Sequence, residues 1–176
     1  MNANEWGITA AYKTRAEIND ECDKKNESAR EHIDIVAFGL TSLRESKANV
    51  IENALGRGAK IRILSMDPDS RFLKERQEEE GGTQDIGQQI RGLKEWVDGL
   101  AEKYPGKIEL RFYRCMTLDF YWRVDDTIYF GPYWNGIQSQ RTVTYRIDKP
   151  GNGFDAYQEY FDQLWERFDP EEPARS

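Results

Sequence analysis

Apolar residues in this chain follow two rhythms. Ile33 to Gly39 (IDIVAFG), Ala59 to Met66 (AKIRILSM) and Lys107 to Tyr113 (KIELRFY) are short, β-branched or alternating runs with the length of strands. Between them the apolar positions fall at helical spacing. Ser42 and Glu45 form the S-x-x-E pattern of a capping box ahead of Leu43, Val50, Ala54 and Leu55, and Gly56 and Gly58 stop that helix. Asp67-Pro68-Asp69-Ser70 turns the chain after the second strand and offers caps for a charged helix through Glu80. Gly81-Gly82-Thr83 breaks it, after which Ile86, Ile90, Leu93, Val97 and Leu100 hold one helical face until Pro105-Gly106. The order β-α-β-α-α-β predicts parallel strands with right-handed crossovers and helices over the sheet.

The ends of the chain follow other patterns. From Ala10 to Glu31 the sequence is polar and rich in helix formers, which predicts an N-terminal helical segment over residues 1–32. Beyond Tyr113, the runs Leu118 to Val124 and Thr127 to Phe130 flank Asp125-Asp126 and predict a tight antiparallel hairpin closed by Gly131-Pro132. Arg141 to Ile147 (RTVTYRI) is a further strand. Gly151-Asn152-Gly153 precedes a last amphipathic helix that buries Phe154, Tyr157, Phe161, Leu164, Trp165 and Phe168. One domain over 33–168 and a flexible tail over 169–176 complete the expected organisation, with no internal repeat or linker. The class is α/β, with a mixed, mostly parallel sheet flanked by helices and a late antiparallel hairpin.

Composition narrows the function classes. A chain of 176 residues is long enough to bury a sheet between helices without disulfides or metal. Its net charge of −7 repels polyanions, which predicts no general nucleic-acid binding and no attraction to an anionic membrane. No segment approaches ~18 continuous apolar residues, and the start MNANEWGITAAYK lacks the basic and apolar regions of a signal peptide. Cys22 and Cys115 are far apart and outside any metal-ligand spacing, so a reducing, cytoplasmic setting is expected.

Three segments carry a resemblance: Arg62 to Ser70 (RILSMDPDS), Val124 to Tyr133 (VDDTIYFGPY) and Glu159 to Trp165 (EYFDQLW). With the element order they resemble one half of the phospholipase D superfamily, over Asp34 to Phe168. Active members of that family carry H-x-K-x-x-x-x-D on the hairpin. The resemblance implies that with Asp125 on the motif Asp, the His and Lys positions hold Leu118 and Phe120, and a shift by one does not restore the pair. The single histidine, His32, lies at the end of the first predicted helix and is read as its cap. Histidine-dependent phosphodiester chemistry is therefore not expected, and no catalytic residue is assigned. The resemblance also implies self-association, so a homo-oligomer is expected.

What remains is a candidate binding cleft. Ligands gather at the carboxyl ends of parallel strands, where Thr41 and Ser42 follow the first strand and Arg114 and Thr117 follow the third. On the hairpin Thr117, Asp119, Tyr121 and Arg123 share one face, and Leu118, Phe120, Trp122 and Val124 the other. The polar row is expected to line the cleft, with Arg114 and Arg123 holding a small phosphate- or nucleotide-containing anion and Tyr121, Tyr133 or Trp134 stacking on it. In the competing expectation these arginines pair with nearby carboxylates and the aromatics are packing. Asp67, Asp69, Asp119, Asp125 and Asp126 do not have the spacing of a metal loop, and neither a metal nor a cofactor is expected. A phosphoesterase or nuclease rebuilt on Asp119 and Arg123, or a structural subunit of a larger complex, are the alternatives.

Overall fold

The strands and helices the pattern predicts are present in the computed structural model, which describes residues 3–82 and 84–170. A helical turn, α1 (Ala3–Trp6), leads into β1 (Ile8–Tyr12), a 3-10 turn (Arg15–Ile18), α2 (Asn19–Ser28) and β2 (His32–Val36). Helices α3 (Thr41–Ser46) and α4 (Ala48–Gly56) connect to β3 (Lys60–Met66), and α5 (Arg71–Glu79) and α6 (Ile86–Lys103) to β4 (Ile108–Tyr113). Then follow β5 (Phe120–Val124), β6 (Thr127–Gly131), a 3-10 turn (Ser139–Arg141), β7 (Thr144–Asp148) and α7 (Asn152–Arg167). Ser70 caps α5, its hydroxyl accepting from the Phe72 N–H at 3.2 Å, and Asp85 caps α6 in the same way from Gln88.

All seven strands form one sheet in the order β1-β7-β6-β5-β2-β3-β4. The β2–β3 and β3–β4 pairs are parallel, whereas the four other junctions are antiparallel, so the balance is not the mostly parallel one expected. One cause is β1, which occupies part of the stretch expected to be helical. Ile8, Ala10, Ala11 and Tyr12 pair with β7, a partner well over a hundred residues away that local composition cannot reveal. The long helix expected after Thr41 is also broken in two at Lys47, and Leu40 rather than Ser42 sits at its cap, with a left-handed φ of 48°. The S-x-x-E box does not form. Of the flexible tail proposed for 169–176, residues 171–176 lie outside the described residues.

Side chains alternate across the sheet into two cores. Ile33, Ile35, Ile61, Ile63, Phe120 and Val124 pack with Ala54, Leu93 and Val97 of α4 and α6. On the other face Val36, Leu64, Tyr121 and Ile128 pack with Phe154, Phe161, Leu164 and Trp165 of α7. Asp34 sits in this second layer with no exposure, and its Oδ1 and Oδ2 accept from Arg62 Nε and Nη2 at 2.7 and 2.9 Å. Arg123 Nη1 reaches Asp34 Oδ2 at 3.2 Å, and Arg62 also pairs with Asp162 of α7 at 2.8 Å. Strand register places this network: Asp34 stands opposite Arg62 on β3 and opposite Arg123 on β5.

Candidate functional site

At the carboxyl end of β2 the chain leaves the sheet through Ala37-Phe38-Gly39-Leu40 and enters α3, opening a cavity of about 580 Å³. Gly39 is required there, since a Cβ would lie 2.4 Å from Gln89 Cβ on α6. The strained Leu40 follows it, the kind of backbone feature that collects at binding sites. The β5 side chains that reach this space are Phe120 and Trp122, joined by Tyr133 from beyond β6. Around these rings stand neutral hydrogen-bonding groups, among them Thr41, Ser42, Gln77, Gln89, Gln138 and Ser139. Thr41 Oγ1 is buried without a hydrogen-bond partner. Arg15, from the turn after β1, lines the same wall, with its guanidinium 4.1 Å from the Phe120 ring centre and 4.6 Å from that of Tyr133.

The residues expected to form the site divide between this cavity and other places. Thr41, Ser42 and Tyr133 line the cavity together. Arg114 is an exposed side chain whose Nε donates to Asp67 at 2.7 Å. Thr117 is half-buried and Asp119 exposed in the segment before β5, outside the cavity lining, and partial desolvation raises the Asp119 carboxyl above its ordinary range. Tyr121 and Arg123 face the opposite side of the sheet. Tyr121 stacks on Phe161 of α7 at 5.1 Å, and Arg123 is 4 % exposed, held by Asp34 and by the Asp125 carbonyl at 2.9 Å.

The expected polar row therefore does not line a cleft. Its alternation is correct but its direction is reversed, because α7 covers that face and Asp34 supplies the charge that Arg123 needs below it. Without Arg123 beside Asp119, the rebuilt hydrolase site does not assemble. His32 is not a helix cap either: α2 ends at Ser28, and His32 opens β2 at the end of the sheet away from the cavity. The hairpin residue Asp125, with a φ of 47°, accepts backbone N–H groups from Arg30, Glu31 and His32 at 2.9–3.0 Å. Burial alone would raise its carboxyl, but those three donors outweigh it and hold the group below the usual range. Asp67 is likewise occupied, by the Asp69 N–H and Arg114. No group of three or more His, Cys, Asp or Glu among the described residues is placed to hold a metal.

The sequence reading missed Arg15, Phe38, Gln77, Gln89, Gln138 and Ser139. None belongs to a motif, and they come together from five separate segments. The alternation of Phe120 and Trp122 was visible, but apolar residues on a strand read as core before they read as a wall.

Neither a protein-family model nor a curated protein sequence matches the chain. Among solved structures it is similar to TrmBL2, described as an archaeal chromatin protein with a novel mode of DNA binding, with a TM-score of 0.59 and 16 % identity over 89 % of this chain. The chain spans about half of that protein, 52 %. It is also similar to NucT from Helicobacter pylori, with a TM-score of 0.57 and 14 % identity, covering 89 % of this chain and 94 % of that one. A third neighbour is Nuc from Salmonella typhimurium, a phospholipase D family member, with a TM-score of 0.53 and 17 % identity over 84 % of this chain and 86 % of that one. The first of these overturns the exclusion of nucleic-acid partners drawn from net charge. A total charge averages over the surface and does not describe any one face of it, and a DNA-binding protein has this fold. Among the described residues no helix is long and apolar enough to cross a membrane. The seven-stranded mixed sheet with its flanking helices is thus similar in fold to Nuc, a phospholipase D family member, and to NucT.

Proposed function

We propose that this domain binds a small phosphate- or nucleotide-containing ligand in the cavity at the carboxyl end of β2 and carries out no histidine-dependent phosphodiester chemistry. The observation that carries this reading is the lining itself. Where β5 meets the cavity it presents Phe120 and Trp122, surfaces on which a planar group can stack, and the surrounding glutamine, serine and threonine side chains can pair with its polar edges. A covalent mechanism needs a nucleophile next to a base. The cavity's thiol, Cys22, is pushed well up by burial and then by Glu21 and Asp23, which keeps it protonated. Its hydroxyls have no histidine near them, since His32 lies at the far end of β2.

A thermal-shift screen of nucleotides and phosphometabolites, with short single- and double-stranded DNA included, tests this reading. Stabilisation by a nucleotide or phosphometabolite, with no metal-independent cleavage of a phosphodiester, is the expected result. Turnover that His32→Ala abolishes would contradict it.

Interaction with protein is the second reading, supported by four large apolar side chains on the surface: Met116, Trp134, Ile137 and Tyr160. Trp122 and Tyr133 are turned into the cavity, whereas Trp134 is left at 47 % exposure. A homodimer that buries Trp134 is expected by light scattering across the micromolar range, and Trp134→Ser should weaken it. A monomer at every concentration would contradict this.

A further inference from the structure

Three arginines are buried among the described residues: Arg15, Arg76 and Arg123, at 4, 3 and 4 % exposure. Two of them have counter-charges. Arg123 meets Asp34, and Arg76 meets Glu79 and Glu80 while also donating to the carbonyls of Trp134 and Ile137. Arg15 is the exception. Its Nη2 donates to Thr142 Oγ1 at 3.0 Å, its Nε is buried with no partner, and no carboxylate among the described residues forms an ion pair with it. Two carboxylates act on Arg15 without forming an ion pair: Glu80, which is already bonded to Arg76 and to Ser139, and Asp119, which is exposed. The rings of Phe120 and Tyr133 compensate the guanidinium in part, but a buried cation without a counter-ion is costly. The cost is borne at the wall of a cavity lined also by stacking rings, by neutral hydrogen-bonding groups and by four further charged side chains: Lys47 paired with Asp23, Glu80 bonded to Arg76, and the exposed Glu45.

We infer that Arg15 binds the anionic group of the ligand, which itself supplies the missing counter-charge, and that the ligand is a planar heterocycle carrying a phosphate. This rests on the cavity being the binding site. It moves the anion contact from Arg114 and Arg123, on the sheet and its loops, to the segment between β1 and α2. Stacking on Phe120, Trp122 or Tyr133 holds the ring, and the fork of Arg15 holds the phosphate.

The test compares adenosine, guanosine, cytidine and uridine with their 5′-monophosphates, by calorimetry and thermal shift on the full chain. On the wild type, at least one monophosphate should bind about 10- to 150-fold more tightly than its nucleoside, the worth of a charge-assisted contact. Arg15→Met should abolish that difference while the free variant melts no lower than wild type, because an apolar side chain of similar length removes an unpaired buried charge. Equal binding of nucleoside and monophosphate by the wild type would overturn the role of Arg15 and leave the cavity reading standing. Binding of neither would overturn both. An Arg15→Met variant that keeps the monophosphate preference would also overturn the inference, as would one that melts several degrees lower. Arg15→Lys, which keeps the charge but not the fork, should retain only part of the preference, and an undiminished preference in that variant would count against the forked contact.

Discussion

Asp34→Ala should lose about 3–5 kcal/mol of stability, the cost of leaving buried cations without their partner. The carboxylate has no exposure and lies between two guanidiniums, those of Arg62 and Arg123, so its removal strands both in the layer beneath α7. Arg62 can recover part of its loss, because its side chain is partly exposed and keeps Asp162. Arg123 cannot; its remaining bond is to the Asp125 carbonyl. Urea unfolding should show a lower midpoint at an unchanged slope, and the double variant Asp34→Ala, Arg123→Leu should recover stability by removing the stranded charge. A loss below about 1 kcal/mol for the single variant would mean that water reaches this network, contrary to its burial.

Phe161→Ala should cost a similar amount, about 3–5 kcal/mol, for a different reason. The ring is 1 % exposed and stacks on Tyr121 at 5.1 Å and on Trp165 at 6.0 Å, with the Arg62 guanidinium 4.9 Å from its centre. Truncation leaves a cavity at the contact through which α7 covers β5, so amide exchange in α7 should rise together with the loss of global stability. Trp122→Ala, on the other face, is the informative contrast. Trp122 is only partly buried and lines the ligand cavity, so its truncation should change ligand affinity more than it changes the melting temperature. If Phe161→Ala instead altered ligand binding with stability intact, the assignment of the two faces of β5 would be wrong.

These two faces mark the boundary between what was legible in the sequence and what was not. The runs IDIVAFG, AKIRILSM and KIELRFY, the Asp125-Asp126 turn, the helix carrying Ile86 to Leu100 and the last aromatic helix were all readable, because each depends on a period within a few residues of chain. So was the alternation along β5. Period two says that Tyr121 and Arg123 share a side and that Phe120 and Trp122 share the other, but not which side meets a helix. That depended on Asp34, which is apparent only once β2 and β5 are placed in register, and on where α7 docks.

The same limit explains the strand at Ile8 to Tyr12 and the site itself. Local composition favoured a helix from Ala10 onward, and hydrogen bonds to β7, available only in the closed sheet, decided otherwise for the strand residues. The cavity draws Arg15 from the turn after that strand, Thr41 and Ser42 from the start of α3, Gln77 and Gln89 from two further helices and Tyr133 from beyond the hairpin. By itself the sequence determined the elements, the kind of sheet-and-helix fold and the lack of a histidine and lysine on the hairpin. Only the tertiary structure decided which charges are satisfied and which are left facing a cavity, because burial and ion pairing are properties of neighbours in space and not of neighbours along the chain.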